Sequence, residues 1–176
     1  FACGSGTASL TFYGTDQDKR PVLISDNLNG NWGGRPSKDG IEAVTSPFGN
    51  SANFPIEVME SRYPVLVEQY GFVPNSGGPG KHRGGLSHIR EWQWLGGEAS
   101  LQISSARRKF PPWGLYGGKD GNPSAFSVVH RDGREEILPT KAFTEVENGA
   151  RARLVMPGGG GWGNPFQRDP ELVLRD

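Results

Sequence analysis

The stretch that decides the fold lies near the end of the chain and reads Met156-Pro157-Gly158-Gly159-Gly160-Gly161-Trp162-Gly163-Asn164-Pro165. Residues 158–161 have no Cβ, so this backbone can adopt positive φ or approach another backbone closely, at a large cost in conformational entropy. The run follows a strand-like segment, residues 150–155. It therefore predicts a tight element where a sheet meets another surface. The run contains no lysine and no helix signal follows it, so phosphate binding of the P-loop type is not expected.

The composition indicates a folded, turn-rich protein. Its 176 residues include 27 glycines and 14 prolines, far more than a helical protein uses, while aromatic side chains make up 10%, too many for disorder. We predict a mainly β (α+β) fold over residues 1–176, a single antiparallel, strand-rich domain. Long Gly/Pro-rich loops and one short helix near residues 55–63 complete it.

Two hairpins are predicted from short β-prone runs around polar turns. Residues 10–13 and 22–25 flank the turn at 15–20, and residues 124–130 and 135–138 flank Arg131-Asp132-Gly133. The helix is expected because Pro55 suits a first helical position and Pro64 should end the helix.

A third hairpin is predicted further along the chain. Residues 88–95 alternate so that Arg90, Trp92 and Trp94 share one face of a strand, and a second alternating segment follows the glycine pair 96–97. A two-glycine connection is typical of a hairpin turn. The two strands are therefore expected to pair side by side.

The charge balance excludes some partners. Lys plus Arg and Asp plus Glu both number 19, so the formal net charge is zero and no field attracts a nucleic acid. No apolar run approaches the length of a membrane span. The single cysteine, Cys3, cannot form an internal disulfide, and no signal-peptide pattern is present. We expect no nucleic acid, no membrane and a cytoplasmic location.

The residues that usually carry chemistry are sparse. His82, His88 and His130 have no ligand-pair spacing, so exposed or locally hydrogen-bonded histidines are expected and no metal site within this chain. Cys3 is interpreted as a small packed residue rather than a nucleophile. Arg107-Arg108-Lys109 beside two prolines and a tryptophan fits either a solvated turn or contact with an anion.

Five stretches of this chain, taken together and in order, resemble the hydantoinase B/5-oxoprolinase family, which is related to the acetone and acetophenone carboxylase large subunits. They are Gly30-Asn31-Trp32-Gly33-Gly34-Arg35-Pro36 with Asp39-Gly40, Asn53-Phe54-Pro55-Ile56-Glu57-Val58-Met59-Glu60-Ser61-Arg62-Tyr63-Pro64, Asn75-Ser76-Gly77-Gly78-Pro79-Gly80-Lys81-His82-Arg83-Gly84-Gly85, Arg107-Arg108-Lys109-Phe110-Pro111-Pro112-Trp113-Gly114-Leu115-Tyr116-Gly117-Gly118, and the terminal run from Pro157 to Pro165.

The resemblance implies the C-terminal portion of a hydantoinase B-type subunit. In that family the subunit works with a hydantoinase A-type partner that uses ATP to activate a cyclic amide or a ketone enol. Ring-opening hydrolysis of a hydantoin, 5-oxoproline or lactam follows, or carboxylation in the related enzymes. ATP and a divalent metal ion are then expected in the full complex and no cofactor within this chain. The expected partners are the N-terminal portion of the subunit, the A-type subunit and a small-molecule substrate.

Four residues are predicted to face the substrate from their positions within the matched motifs. Asn53 and Glu57 lie at the helix start, and Arg107 and Arg108 would face an anion. Two alternatives to the enzyme interpretation stay open. The first is a non-catalytic assembly module that docks through Trp32, Trp113 and Trp162. The second is a stand-alone β-sandwich ligand binder.

Overall fold

The computed structural model describes residues 1–44 and 52–176 and shows two antiparallel sheets joined by long loops. Its strands are β1 Ala8–Thr15, β2 Pro21–Leu28, β3 Val65–Phe72, β4 His88–Trp94, β5 Ala99–Ser104, β6 Ala125–Val129, β7 Glu135–Ile137, β8 Lys141–Val146 and β9 Arg151–Val155. Its helices are α1 Ile56–Arg62, a 3₁₀ turn Pro165–Gln167 and α2 Pro170–Arg175. The mainly β prediction is confirmed.

The first sheet has the strand order β2-β1-β5-β8. Strands β1 and β2 form the predicted hairpin, with Phe12 opposite Ile24. Its turn is closed by the Asp16 carboxylate, which accepts hydrogen bonds from the backbone N–H groups of Asp18 and Arg20, both at 2.9 Å. In such Asx turns, a side-chain oxygen accepts backbone N–H groups that would otherwise need a backbone partner.

The second sheet has the order β3-β4-β9-β6-β7. The predicted hairpin between β6 and β7 is confirmed, and Gly133 takes φ +86° in its turn. Only glycine adopts this backbone conformation without steric cost. The local sequence was therefore sufficient to predict both the hairpin and the glycine in its turn.

The third predicted hairpin is wrong. β4 pairs with β3 and β9, whereas β5 pairs with β1 and β8 in the other sheet. The glycine pair instead carries the chain from one sheet to the other, and the Gly97 N–H donates to the Thr15 carbonyl. Both strands have an apolar inner face, so they pack across the core rather than side by side.

The core lies between the two sheets. Arg90, Trp92 and Trp94 share a buried face of β4, as predicted, but Glu91 on the opposite face is buried too. Trp94 stacks on Phe12 of the first sheet, with the ring centroids 5.0 Å apart. Burying one large apolar side chain stabilises a fold by about 1.5–3 kcal/mol. This facing pair therefore contributes to holding one sheet on the other.

The predicted helix is confirmed as α1, with Pro55 as its N-cap residue and Met59 fully buried. Strand β8 and helix α2 were not predicted. α2 begins with the Asp169 carboxylate accepting a hydrogen bond from the Glu171 N–H. Its sequence carries a capping signal, but it is only 6 residues long and exposed, so no apolar face reveals it.

A network of ion pairs holds the end of the chain against the loops. Arg168 donates to both carboxylate oxygens of Asp39, each at 2.8 Å, and also binds Asp176. Arg83 binds Asp176 at 2.8 Å and Glu42 at 2.7 Å. Burial would raise the pKa of Asp39, but the hydrogen bonds from Arg168 and Arg83 outweigh it and lower that pKa. The tail is thus clamped while Asp39 is ionised.

The glycine run is the centre of a bundle of loops beyond the ends of β4 and β9. We call this bundle the glycine hub; it comprises residues 2–5, 30–35, 76–85, 113–122 and 157–163. Gly160 donates to the Cys3 carbonyl and accepts from Gly34, both at 2.8 Å, and Gly161 bonds the 113–122 loop in the same two ways. The run therefore lies inside the hub, with its backbone hydrogen-bonded to loops on both sides.

The need for glycine in the hub comes from close approach. A Cβ on Gly160 would overlap the carbonyl oxygen of Trp113, and a Cβ on Gly84 would overlap that of Gly159. Four of the five family-like stretches meet in the hub. Their glycines therefore share one role, which is to let neighbouring backbone segments approach closely.

Candidate functional site

The predicted site residue Asn53 lines a cavity at the open edge between the two sheets. Its side-chain amide donates to the Tyr70 hydroxyl at 2.7 Å. We call the cavity the edge pocket; it has a volume of about 460 Å³ and is lined by Thr7, Ser25, Asp26, Asn27, Ala52, Asn53, Phe54 and Pro55. Glu57 lies nearby on the first turn of α1, with an exposed side chain.

Arg107 and Arg108 lie elsewhere. The Arg107 guanidinium sits 4.8 Å from the ring centroid of Trp113, and its own φ is +66°. Arg108 donates to the carbonyl of Leu138 and lines a separate cavity with Lys109, Ile137, Pro139 and Thr140. That cavity and the edge pocket share no lining residue. The fold thus brings Asn53 and Glu57 to one region and the two arginines to another.

One residue of the edge pocket, Asp26, also forms a buried ion pair. Asp26 on β2 is 3% exposed, and its Oδ2 accepts from Arg90 Nη1 at 2.7 Å and from Trp92 Nε1 at 3.2 Å. The two donors therefore hold the buried carboxylate through one of its oxygens.

Arg90 is fully buried and incompletely bonded. Its guanidinium lies 4.0 Å from the ring centroid of Tyr70, while Nε and Nη2 have no hydrogen-bond partner within residues 1–44 and 52–176. A buried unpaired polar group costs about 1–3 kcal/mol. Such a group in a native fold calls for a functional or structural reason.

His88, next to Arg90 on the same face of β4, corrects an expectation. The predicted exposed or locally bonded state is wrong here: His88 is 2% exposed, and its Nδ1 has no partner in the described part of the chain. Burial, with a smaller contribution from the Arg90 charge, lowers the pKa of His88 to about 4. The ring is therefore neutral at physiological pH, and it meets Tyr70 edge-on at 6.3 Å.

The other two histidines are partly exposed and lie near carboxylates. His130 contacts Glu147 at 3.1 Å and Glu136 at 3.2 Å, and His82 lies 3.8 Å from Asp39. Burial would lower the pKa of His130, but the hydrogen bonds to Glu147 and Glu136 raise it.

Cys3 is a half-buried member of the glycine hub. Burial raises the pKa of its thiol, and the nearby Arg107 charge opposes this only in part. The thiol is therefore protonated at neutral pH, which supports the packing interpretation rather than a nucleophile.

The sequence analysis did not predict the buried Asp26–Arg90 pair. Arg90 was placed correctly on the face of Trp92, yet a charge on an apolar face was itself a signal that a buried partner exists. Asp26 is 64 residues away from Arg90, and no local pattern marks it as that partner.

The described part of the chain offers neither a metal-binding cluster nor a membrane-spanning helix. Within residues 1–44 and 52–176, no three His, Cys, Asp or Glu side chains converge as a metal-binding group. None of the helices there has the length and apolar character of a membrane span.

The comparisons with known proteins agree with the motif resemblance. The model of the family described as Hydantoinase B/oxoprolinase matches residues 1–165. A protein described as the B subunit of a D-/L-hydantoinase, from Pseudomonas sp. (strain NS671), is 36% identical over 177 residues, covering 99% of this chain and 30% of that protein. The chain therefore belongs to the hydantoinase B/oxoprolinase family, and it spans about a third of the length of this relative.

Two solved structures share the fold. The ATP-dependent caprolactamase from Pseudomonas jessenii matches with a TM-score of 0.85 and 28% identity, over 99% of this chain and 32% of that chain. A nucleotide-free acetone carboxylase matches with a TM-score of 0.77 and 17% identity, over 96% of this chain and 27% of that chain. The second likeness concerns the fold alone.

Proposed function

We propose that this chain is the C-terminal part of a B-type subunit of an ATP-dependent cyclic amide hydrolase, acting on a hydantoin, 5-oxoproline or a lactam. The observation that carries the proposal is the match of the whole chain to one third of the caprolactamase chain, at 28% identity. A domain that corresponds so completely to a defined part of a larger enzyme supports a contribution to the same class of reaction.

In this proposal the chain supplies one wall of the substrate cavity and part of the interface with the rest of the enzyme. The edge pocket with Asn53 and Glu57 is one candidate wall, and the region of Arg107 and Arg108 is a second contact surface. ATP and a divalent metal ion belong to the remainder of the complex. The partners are the N-terminal portion of the subunit and an A-type subunit, in the cytoplasm.

Two alternatives differ in what supports them. A ketone carboxylase is supported by the acetone carboxylase likeness only at the level of fold. An assembly module is supported by Trp113, which is 50% exposed beside Phe110 at 69% and Tyr116 at 76%. Exposed aromatic clusters of this kind are typical of protein interfaces.

The test is reconstitution with the missing N-terminal portion and an A-type partner. We expect ATP hydrolysis that depends on a hydantoin, 5-oxoproline or caprolactam. Absence of turnover with every such substrate, in a metal-loaded complex of the right mass, would reject the proposal.

Single substitutions then separate a cavity role from docking. Under the cavity role, Asn53→Ala, Glu57→Gln and Arg107→Ala lower turnover while the complex elutes intact by size-exclusion chromatography. Under the assembly role, Trp113→Ala dissociates the complex. Ser100→Ala is the matched control, because Ser100 lies on the outer side of β5 and away from both cavities.

A further inference from the structure

We propose that the loop between β5 and β6 is the surface by which this chain packs against the N-terminal portion of its own subunit. We call residues 105–124 the aromatic loop; residues 113–122 of it belong to the glycine hub. The choice of partner rests on the proposed function. The exposure, charge and rigidity of the loop mark it as a binding surface independently of that function.

The aromatic loop exposes three large aromatic side chains. Phe110 is 69% exposed, Trp113 50% and Tyr116 76%. The Tyr116 ring lies against that of Trp162, with the centroids 4.5 Å apart, so the patch continues onto the glycine hub. Aromatic side chains contribute strongly to binding when a partner covers them, and exposed groups of them are typical of protein interfaces.

The same loop concentrates positive charge. Residues 105–119 contain no carboxylate and four cationic side chains, namely Arg107, Arg108, Lys109 and Lys119, although the whole chain has a formal net charge of zero. The Arg107 guanidinium lies 4.8 Å from the ring centroid of Trp113, and Lys109 Nζ lies 5.5 Å from that of Phe110. Two of the cations therefore stand directly beside exposed rings. A complementary surface has apolar pockets with an acidic rim.

The loop is held in one shape, which lowers the entropic cost of binding. Its ends are joined by Ser124, whose Oγ donates to the Ala106 carbonyl at 2.7 Å. It is fixed to the glycine run where the Leu115 N–H donates to the Gly161 carbonyl at 2.9 Å. Tyr116 keeps a φ of +53°, an unfavourable conformation that persists only where the surroundings enforce it. Such a preordered surface loses little freedom when a partner covers it.

The position of the loop selects the partner. The Cys3 N–H donates to the Trp113 carbonyl at 3.1 Å, so the first residues of this chain lie against the loop. The chain covers 30% of the D-/L-hydantoinase B-subunit relative, so the larger part of such a subunit lies outside it. On the proposed function, the polypeptide that precedes this chain enters beside Trp113. The N-terminal portion is therefore the partner nearest to the exposed patch.

Single-stranded nucleic acid is the main competing ligand, because bases also stack on exposed aromatic side chains beside cations. The formal net charge of zero provides no wider basic field that would hold a phosphate backbone. A protein surface is therefore favoured as the partner.

The test places the photo-cross-linking residue p-benzoylphenylalanine at position 113 of the full-length subunit in the reconstituted complex. We expect the cross-linked peptides, identified by mass spectrometry, to come from the N-terminal portion. Cross-links to the A-type subunit, to a second copy or to no protein would overturn the inference. Position 143 is the matched control, because Phe143 is an aromatic residue that is 64% exposed on the outer side of β8. An equal yield of the same cross-links from position 143 would also overturn it.

Trp113→Ala in the full-length subunit measures the contribution of the patch. Amide exchange in the cross-linked peptides should quicken by about thirtyfold, the effect of losing one hot-spot side chain. Exchange in the glycine run should not change, because the Trp113 carbonyl that bonds Cys3 remains in the variant. Phe143→Ala is the control and should leave the cross-linked peptides unaffected. Wild-type exchange of those peptides in Trp113→Ala would contradict a packing role for the patch.

The acidic rim is tested by the charge of Lys109. Lys109→Glu should quicken exchange in the same peptides, whereas Lys109→Arg, which keeps the charge, should not. Equal exchange in the two variants would show that charge does not select the partner.

Fluorescence anisotropy with a fluorescein-labelled oligo(dT) tests the competing ligand on the full-length subunit. We expect no binding at physiological salt that depends on Trp113. Binding that Trp113→Ala abolishes would assign the patch to nucleic acid and overturn the inference.

The two proposals fail in different ways. If the complex hydrolyses cyclic amides but position 113 cross-links only to the A-type subunit or to a second copy, the inference is wrong and the proposed function stands. If position 113 cross-links to the N-terminal portion but no complex turns over any cyclic amide, the packing surface stands and the proposed function is wrong.

Discussion

The glycine hub and the edge pocket satisfy their polar groups by opposite means. In the hub, backbone N–H and carbonyl groups bond each other between segments far apart in sequence, as where Gly160 bridges Cys3 and Gly34. At the edge pocket, side chains carry the interactions: Asp26 in the lining pairs with the buried Arg90, and Arg90 and its neighbour His88 keep buried nitrogens unpartnered among the described residues. The hub is therefore held together by paired backbone groups, whereas the buried groups next to the pocket retain unsatisfied nitrogens, which call for a functional or structural reason.

The largest effect is expected from breaking the pair under the pocket. Asp26→Ala leaves the Arg90 charge buried without its partner, so we expect a loss of about 3–5 kcal/mol in the free energy of unfolding. The double variant Asp26→Leu with Arg90→Met removes both charges and should recover most of that loss. Urea denaturation of the three proteins measures the difference. A double variant no more stable than Asp26→Ala would contradict a charge-based origin.

The buried His88 on β4 should also give the protein a pH dependence. His88 has a folded-state pKa of about 4, below its ordinary 6.5. As pH falls from 6.5 towards 4 the unfolded chain takes up a proton that the folded protein refuses, so stability falls. The expected loss is on the order of 3 kcal/mol. Urea denaturation at pH 7, 5 and 4 measures it.

His88→Gln provides the control for that pH dependence, because it removes the titrating ring. Its stability should change much less between pH 6.5 and 4. His130 does not interfere, since its pKa is raised and its contribution is fully present below 6.5 and is lost only as pH rises through its folded pKa. An unchanged pH slope in His88→Gln would assign the loss to other groups.

In the hub, the sensitive feature is space rather than charge. Gly160→Ala forces a Cβ onto the Trp113 carbonyl oxygen, so we expect a destabilisation of about 1–3 kcal/mol with little pH dependence. Gly71→Ala is the matched control, because a Cβ there meets nothing within 4 Å. Equal Tm values for the two variants would show that the hub can relax.

The smallest effect is expected at the clamp between the hub loops and α2. Arg168→Gln removes the paired contact with Asp39, and we expect a loss of about 1 kcal/mol, seen as faster amide exchange in α2. Because the pKa of Asp39 is lowered, its contribution is present above its unfolded pKa of 3.8 and is lost as pH falls through the folded value. Unchanged exchange in α2 would mean that the clamp does not hold the helix.

Local patterns predicted those elements whose information is local. The hairpin at Gly133, helix α1 and the buried face of β4 all follow from turn residues, prolines and alternation. The pairing of β4 and β5 failed because alternation identifies a buried face but not the neighbouring strand. Helix α2 was not predicted because it has no apolar face that would produce a helical pattern in the sequence.

For the candidate site, too, the sequence supplied the local information and the fold supplied the rest. Asn53 was selected from its position in a family-like stretch, and the structure places it at a cavity that Asp26 also lines. The grouping of Asn53 and Glu57 with Arg107 and Arg108 was not local information, and the fold sets them in two regions. Their roles remain predictions that the substitutions above test.

By itself, the sequence determined the mainly β class and the family, because both are written in composition or in ordered short motifs. Only the tertiary structure decided that the glycine run lies inside a bundle of loops. The same holds for the pairing of Asp26, which lines the edge pocket, with Arg90. The physical reason is that both depend on contacts between distant segments. Those contacts follow from how two sheets pack, which no local pattern encodes.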